Sequence, residues 1–219
     1  MDPDTAIQWN ANDGQEVGAG QVLCLVKGDA RAMLSAERAA LNFLQTLSAT
    51  ASVTRRYVEA VAGTNAAIVD TRKTIPGLRL AQKYAVRAGG GSNHRIGLFD
   101  GMLLKENHIL AAGGIGPALQ QAARLAAPGV MVQIEVENLH QLLEALAANA
   151  KLILLDNFSP DQAREAVHLT GKQAQLEASG GITLDNIRDM ALTGVDRISI
   201  GALTKNVQAV DLSMRFFVG

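Results

Sequence analysis

The chain has 219 residues, 48% of them hydrophobic and 19% charged, with a formal net charge of −1, which is material for a full core in one large domain and leaves no polar tract for disorder. Neither the net charge nor the 4% of aromatic residues suits a nucleic-acid surface, and the most apolar stretch, residues 109–130, is broken as a membrane span by Gly113, Gly114, Pro117, Arg124 and Pro128. A single cysteine, Cys24, excludes an internal disulfide framework, and with no segment resembling a signal peptide the expected compartment is the reducing cytoplasm.

Residues 1–29 place Asn12-Asp13-Gly14 and Gly18-Ala19-Gly20 around short β-branched runs such as 22–26, which predicts strands joined by turns. The pattern implies a small β structure whose earlier strands are missing, with an exposed apolar edge as the consequence. Residues 35–61 carry Leu41, Leu44, Leu47, Tyr57 and Val61 at helical spacing, with Ser35 as the expected N-cap. Arg38 and Asn42, four apart, share one face of that helix.

Beyond Gly63, short apolar runs alternate with helical patterns: 66–69 then 78–87, 102–104 then 116–125, 130–136 then 139–148, 152–155 then 160–169, 174–176 then 184–192, and finally 197–200. This alternation predicts parallel strands with crossover helices, in a βα barrel or an open relative of one. A doubly wound sheet is the competing architecture, but Asp70-Thr71-Arg72-Lys73 stands where its glycine fingerprint would follow the first strand.

Charge concentrates in residues 68–108, which hold seven Lys or Arg against three Asp or Glu, with Gly89-Gly90-Gly91 expected to let the backbone approach a ligand closely. In a βα barrel the loops after the strands meet at one face. Here nearly every apolar run ends in polar residues: Asp70, Arg72 and Lys73; Lys105, Glu106 and Asn107; Glu135 and Glu137; Asp156 and Asn157; Glu177 and Ser179; Ser199 and Gly201. Arg72, Lys73, His94, Arg95 and Lys105 make a basic group suited to carboxylates, and buried cations of this density predict a small multiply anionic ligand. Glu135 and Asp156 supply acid for Mg²⁺ or ribose hydroxyls. The turns at 178–183 and 200–204, each leading into a helix, offer backbone N–H groups to a phosphate. Neither zinc spacing nor a nucleophile elbow is present.

Seven motifs, DTRKTIPGLR at 70–79, KYAVRAGGGSNHRIGL at 83–98, KENHI at 105–109, EVEN at 135–138, LLDNF at 154–158, EASGGI at 177–182 and GALTK at 201–205, closely resemble in order those of the carboxylating nicotinate-nucleotide pyrophosphorylases, the quinolinate phosphoribosyltransferase family. The resemblance implies an α/β fold, an open, incomplete βα barrel beside a smaller α/β sandwich. Its divisions would be 1–34 as a remnant of the sandwich, 35–208 as the barrel, and 209–219 as a return to the sandwich through a strand at 212–218. It implies transfer of phosphoribose from phosphoribosyl pyrophosphate to quinolinate with loss of carbon dioxide, for NAD synthesis, with Mg²⁺ as cofactor. Arg72, His94, Arg95 and Lys105 would surround the quinolinate carboxylates, joined by Arg38 from a second subunit of a homodimer or higher homo-oligomer with a shared active site. Lys73 would lie near the pyrophosphate, Glu135 and Asp156 near the ribose and Mg²⁺, and Ser179, Gly180 and Gly201 near the 5′-phosphate. Two other readings stand beside this one: the related phosphoribosyltransferase-like protein of molybdate-transport clusters, against which the intact basic set argues, and an inactive, truncated anion-binding scaffold.

Overall fold

A computed structural model describes residues 2–216. Strands β1 (Ala6–Trp9) and β2 (Cys24–Lys27) pair as an antiparallel ribbon with Ala6 opposite Lys27 and Trp9 opposite Cys24. A two-stranded ribbon is marginal by itself, and this one has little cover: Ile7 is 52% and Trp9 58% exposed, with Leu25 close behind. Its connecting loop is tied to the rest of the chain by the Tyr84 hydroxyl, which donates to Asp13 Oδ2.

Helix α1 (Ala30–Ala60) begins earlier than expected. Asp29 is the N-cap, its carboxylate accepting from the backbone N–H groups of Arg31 and Ala32 at 3.1 and 3.0 Å. Ser35 sits inside the helix and donates its hydroxyl to Arg31 O at 2.7 Å. Residues 30–34 are Ala, Arg, Ala, Met and Leu, all good helix formers, so once Asp29 caps the chain nothing delays the helix. Ala49, Thr50, Thr54 and Tyr57, on its C-terminal half, are buried.

The remainder is β3 (Ala67–Val69), α2 (Arg79–Ala88), β4 (Gly101–Leu104), α3 (Glu106–Ala112), α4 (Ile115–Leu125), β5 (Met131–Val136), α5 (Leu139–Ala147), β6 (Leu152–Asp156), α6 (Pro160–Thr170), β7 (Gln175–Ser179), α7 (Ile187–Ala191), β8 (Arg197–Ser199) and α8 (Ala202–Lys205). The six strands β3 to β8 form one parallel sheet in the order β3-β8-β7-β6-β5-β4. No ladder joins β3 to β4, so the βα barrel is open along that seam, where a single parallel bridge sets Ser92 beside Val69.

Side chains alternate across each strand. Ile134, Val136, Ile153, Leu155, Leu176, Ala178 and Ile198 belong to the apolar core shared with buried helix residues such as Leu142, Ala145, Ala163, Ala166 and Ile187. Register places Glu135 beside Leu154, Leu154 beside Glu177 and Glu177 beside Arg197, so the opposite face carries a row of mostly polar residues. Residues 210–212 lie against α1: Val210 N–H donates to Gln45 O at 3.2 Å, and Gln45 Nε2 donates to Leu212 O at 3.0 Å. Residues 212–216 form no strand, contrary to the expected return strand; the rest of that expectation, through Val218, lies outside the described residues. No helix among the described residues is long and apolar enough to cross a membrane.

Candidate active site

Strand β3 runs into Asp70, which is wholly buried. Its Oδ1 accepts from Lys83 Nζ at 2.6 Å and from His94 N–H at 2.8 Å, while Oδ2 accepts from Asn93 Nδ2 at 2.7 Å. Lys83, 3% exposed, also donates to His94 O at 2.8 Å. Lys83 is thus a buried strut that hangs residues 93–95 from β3 and α2. Arg79 has a similar use: it donates to Thr74 Oγ1, Ile96 O and Arg72 O at 3.1 to 3.2 Å, clipping the loop after β3 to the loop before β4.

The glycine run is spent on packing. A Cβ at Gly91 would come within 2.7 Å of Thr54 Cγ2 and 2.9 Å of Val86 Cγ1, and one at Gly89 would strike Ala51 O, so these glycines let the end of α2 close onto α1. The expected close approach to a ligand is replaced by a close approach between helices.

Arg72, Arg95, Lys105, His108, Leu98 and Met102 line one cavity of 360 Å³ that runs along β4 to the residues just after it, a volume within the roughly 300–1,000 Å³ usual for small-ligand sites. Arg95 Nη1 donates to Gly101 O at 2.8 Å. Burial, then the neighbouring Arg72, lowers its guanidinium pKa from the ordinary value, so positive charge is crowded here. Lys105 is 46% exposed and pairs with Glu135 Oε2 at 2.7 Å. Arg72, Arg95 and Lys105 all keep solvent access, so their crowding is tolerable without a bound counter-ion, which corrects the expectation from burial cost alone.

His94 takes a different place. Its Nδ1 accepts from Arg95 N–H at 2.9 Å and its Nε2 lies 2.8 Å from Gln133 Oε1, so protein partners occupy both ring nitrogens. Burial is the main cause that lowers its pKa, opposed by Glu177. His108, not among the expected site residues, lines the cavity; Lys105 N–H donates to its Nδ1 at 3.1 Å, which leaves the proton on Nε2. Its position one turn after Lys105 in the KENH motif was the available signal.

Glu135 on β5 and Asp156 at the end of β6 lie on neighbouring strands, and Asn157 Nδ2 donates to Asp156 Oδ2 at 2.8 Å. Asp156 is in register with Ser179. Gly180 follows with φ +96°, and a Cβ there would collide with Asn157 Oδ1, so glycine is required. At the next strand end, the side chains of Lys73 and Lys205 flank Gly201: a Cβ on that glycine would meet Lys73 Cδ at 3.4 Å and Lys205 Cε at 3.9 Å. The loop bearing Lys73 is fixed by Thr204 Oγ1, which donates to Lys73 O at 2.8 Å. Among the described residues, the amides of Gly180, Gly181 and Gly201 donate to no protein acceptor. Arg38 stands exposed on α1 with no hydrogen bond or ion pair among the described residues.

Comparisons with known proteins bear on this arrangement. The profile of the quinolinate phosphoribosyl transferase C-terminal domain matches residues 50–215, and that of the N-terminal domain matches residues 1–48. The chain is 46% identical over 202 residues to the probable carboxylating nicotinate-nucleotide pyrophosphorylase of Bacillus subtilis, covering 92% of this chain and 70% of that one. It is 46% identical over 211 residues to the Mycobacterium leprae enzyme of the same name, covering 95% and 74%. The solved nicotinate-nucleotide pyrophosphorylase of Francisella tularensis superposes with a TM-score of 0.92 at 49% identity, over 95% of this chain and 74% of that one. With both domain profiles matched across nearly the whole length and the barrel motifs gathered at one face, the chain belongs to the quinolinate phosphoribosyl transferase family.

Proposed function

We propose that this chain is a quinolinate phosphoribosyltransferase of NAD biosynthesis, converting quinolinate and phosphoribosyl pyrophosphate into nicotinate mononucleotide, pyrophosphate and carbon dioxide. The observation that carries this reading is the convergence of Arg72, Arg95, Lys105 and His108 on a single cavity of 360 Å³. Guanidinium forks can take a carboxylate bidentately, and two arginines with a lysine match a planar diacid. In this reading Lys105 exchanges its Glu135 partner for a substrate carboxylate, which frees Glu135 toward the ribose. Arg38 comes from a second subunit to complete the pocket, making the working form a homodimer or larger. Its exposed, unpaired state on α1 is compatible with that role.

Lys73, beside Lys205 and Gly201, takes charge from the departing pyrophosphate, and the free amides of Gly180 and Gly201 with Ser179 hold the 5′-phosphate. The ring nitrogen of quinolinate forms its bond to C1 of the ribose as the C1–O bond to pyrophosphate breaks. When the adjacent carboxylate departs as carbon dioxide, the electron pair of the broken C–C bond stays on the ring carbon, where the positive charge of the neighbouring pyridinium nitrogen stabilises it until it takes up a proton. The protein's work is positioning and electrostatics, with no covalent nucleophile.

Glu135 and Asp156 fit Mg²⁺ as hard oxygen donors on adjacent strands. Among the described residues no cluster of three or more His, Cys, Asp or Glu forms a closed cage, so the pair suits an ion that keeps waters and substrate phosphates as its other ligands. When bound, Mg²⁺ would neutralise charge on the pyrophosphate. The test is turnover with quinolinate labelled in the carboxyl adjacent to the ring nitrogen, phosphoribosyl pyrophosphate and Mg²⁺, run with and without a chelator. Nicotinate mononucleotide and label released as carbon dioxide in equal amounts, both lost on chelation, are expected; no product with Mg²⁺ in excess would overturn the reading.

A further inference from the structure

Beside the cationic cavity, the barrel carries a chain of polar groups that the roles above leave unused. Arg197 Nε on β8 lies 3.3 Å from Glu177 Oε2 on β7, and Gln133 Nε2 on β5 donates to the same oxygen at 3.2 Å. Gln133 Oε1 stands 2.8 Å from His94 Nε2, and Arg95 N–H donates to His94 Nδ1 at 2.9 Å. The directions of these bonds depend on one another. A backbone N–H can only donate, so Nδ1 bears no proton and Nε2 bears it. That proton needs an acceptor, which Gln133 provides only with its amide oxygen turned to the ring. This turn points the Gln133 NH₂ at Glu177, whose carboxylate alone accepts without also donating.

Glu177 is fully buried, and its Oε1, 3.5 Å from His94 Nε2, is the buried side-chain oxygen left without a hydrogen-bond partner among the described residues. A carboxylate held dry with one oxygen unsatisfied is costly to keep for packing alone. The charged groups facing His94 are Glu177 from β7, Arg197 from β8 and Arg95 from its own loop; Asp70, at the end of β3, holds its backbone N–H.

We propose that Glu177 is a positioning residue: through Gln133 it fixes the tautomer and tilt of His94, and through His94 the backbone of Arg95, so that the guanidinium meets the cavity in one orientation. The consequence for substrate rests on reading that cavity as the quinolinate site, whereas the tautomer does not.

NMR of the full chain labelled with ¹⁵N-histidine, with the His94 signals identified by their loss in His94→Gln, reads the tautomer directly. The wild-type chain is expected to show an unprotonated Nδ1 and a protonated Nε2. In Glu177→Gln both tautomers are populated, and the KM for quinolinate rises about tenfold while kcat changes less than about threefold, the scale of one hydrogen bond lost in the ground state. Gln133→Met keeps the Glu177 charge but cuts the relay; it produces the same two effects, and the double variant is no worse than either single one. A ring that stays wholly Nε2–H in either folded variant, an unchanged KM, or additive losses in the double variant would overturn the proposal. Should neither variant fold, a wild-type His94 found as the Nδ1–H tautomer would do so alone. A wild-type chain without turnover would sink the proposed activity and leave the tautomer test standing.

Discussion

Asp70→Asn is the change that probes most sharply how the cationic loop is held. Asp70 accepts from three donors, Lys83 Nζ, His94 N–H and Asn93 Nδ2, all within 2.8 Å, and neither it nor Lys83 is more than 3% exposed. Asparagine has the same shape but only one accepting oxygen, and its NH₂ must face a donor. The Lys83 ammonium is then left buried with no counter-charge. Removing one member of such a pair costs about 3–5 kcal/mol, which for a chain of this size is a fall in Tm of roughly 6–20 °C. Urea denaturation followed by circular dichroism would measure the loss. Adding Lys83→Met removes the stranded charge and should restore part of it. A loss below about 1 kcal/mol for Asp70→Asn, or a double variant less stable than the single one, would refute the argument that this pair is dry and holds residues 93–95.

Arg95→Ala should weaken quinolinate binding by about 1.5–3 kcal/mol in titration calorimetry, the scale of a hydrogen bond to a charged group, and unchanged affinity would place Arg95 outside the pocket. His94, held below its ordinary pKa of 6.5 chiefly by burial, makes the unfolded chain bind more protons than the folded one just below that pH. Its contribution to stability is therefore full above pH 6.5 and lost as pH falls toward the lowered value; urea melts at stepped pH should show this loss shrink in His94→Gln. Gly180→Ala forces a side chain into left-handed backbone against Asn157 Oδ1, and a cost of about 1–3 kcal/mol, with a raised KM for phosphoribosyl pyrophosphate, is expected from melts and kinetics.

The barrel was legible because the strands after Gly63 hold short apolar runs, such as those at 67–69, 102–104 and 152–155, that give way to polar residues, and that local signal survives folding. The cationic cavity was legible for the same reason: Arg72 and Lys105 follow strand ends, and the parallel sheet brings such ends to one face. Lys83 and Arg79 add to the positive charge of residues 68–108, with no role of their own legible in the sequence. Only their distances to Asp70, Ile96 O and Arg72 O show them to be struts. The relay of Gln133, Glu177 and Arg197 was hidden because its members lie on three strands and meet through register. Gly89 and Gly91 mislead in the opposite way, since a helix contact and a ligand contact demand the same missing Cβ. The helix start moved from Ser35 to Asp29 because two acceptable caps compete and the residues between them favour helix.

The measurement that bears most directly on the pocket is calorimetry of the wild-type chain with quinolinate and, separately, with nicotinate, which lacks the second carboxylate. If Arg72, Arg95, Lys105 and His108 grip two carboxylates, quinolinate binds at least about tenfold more tightly, and the difference shrinks as salt is raised. Equal affinities at low salt would contradict the account.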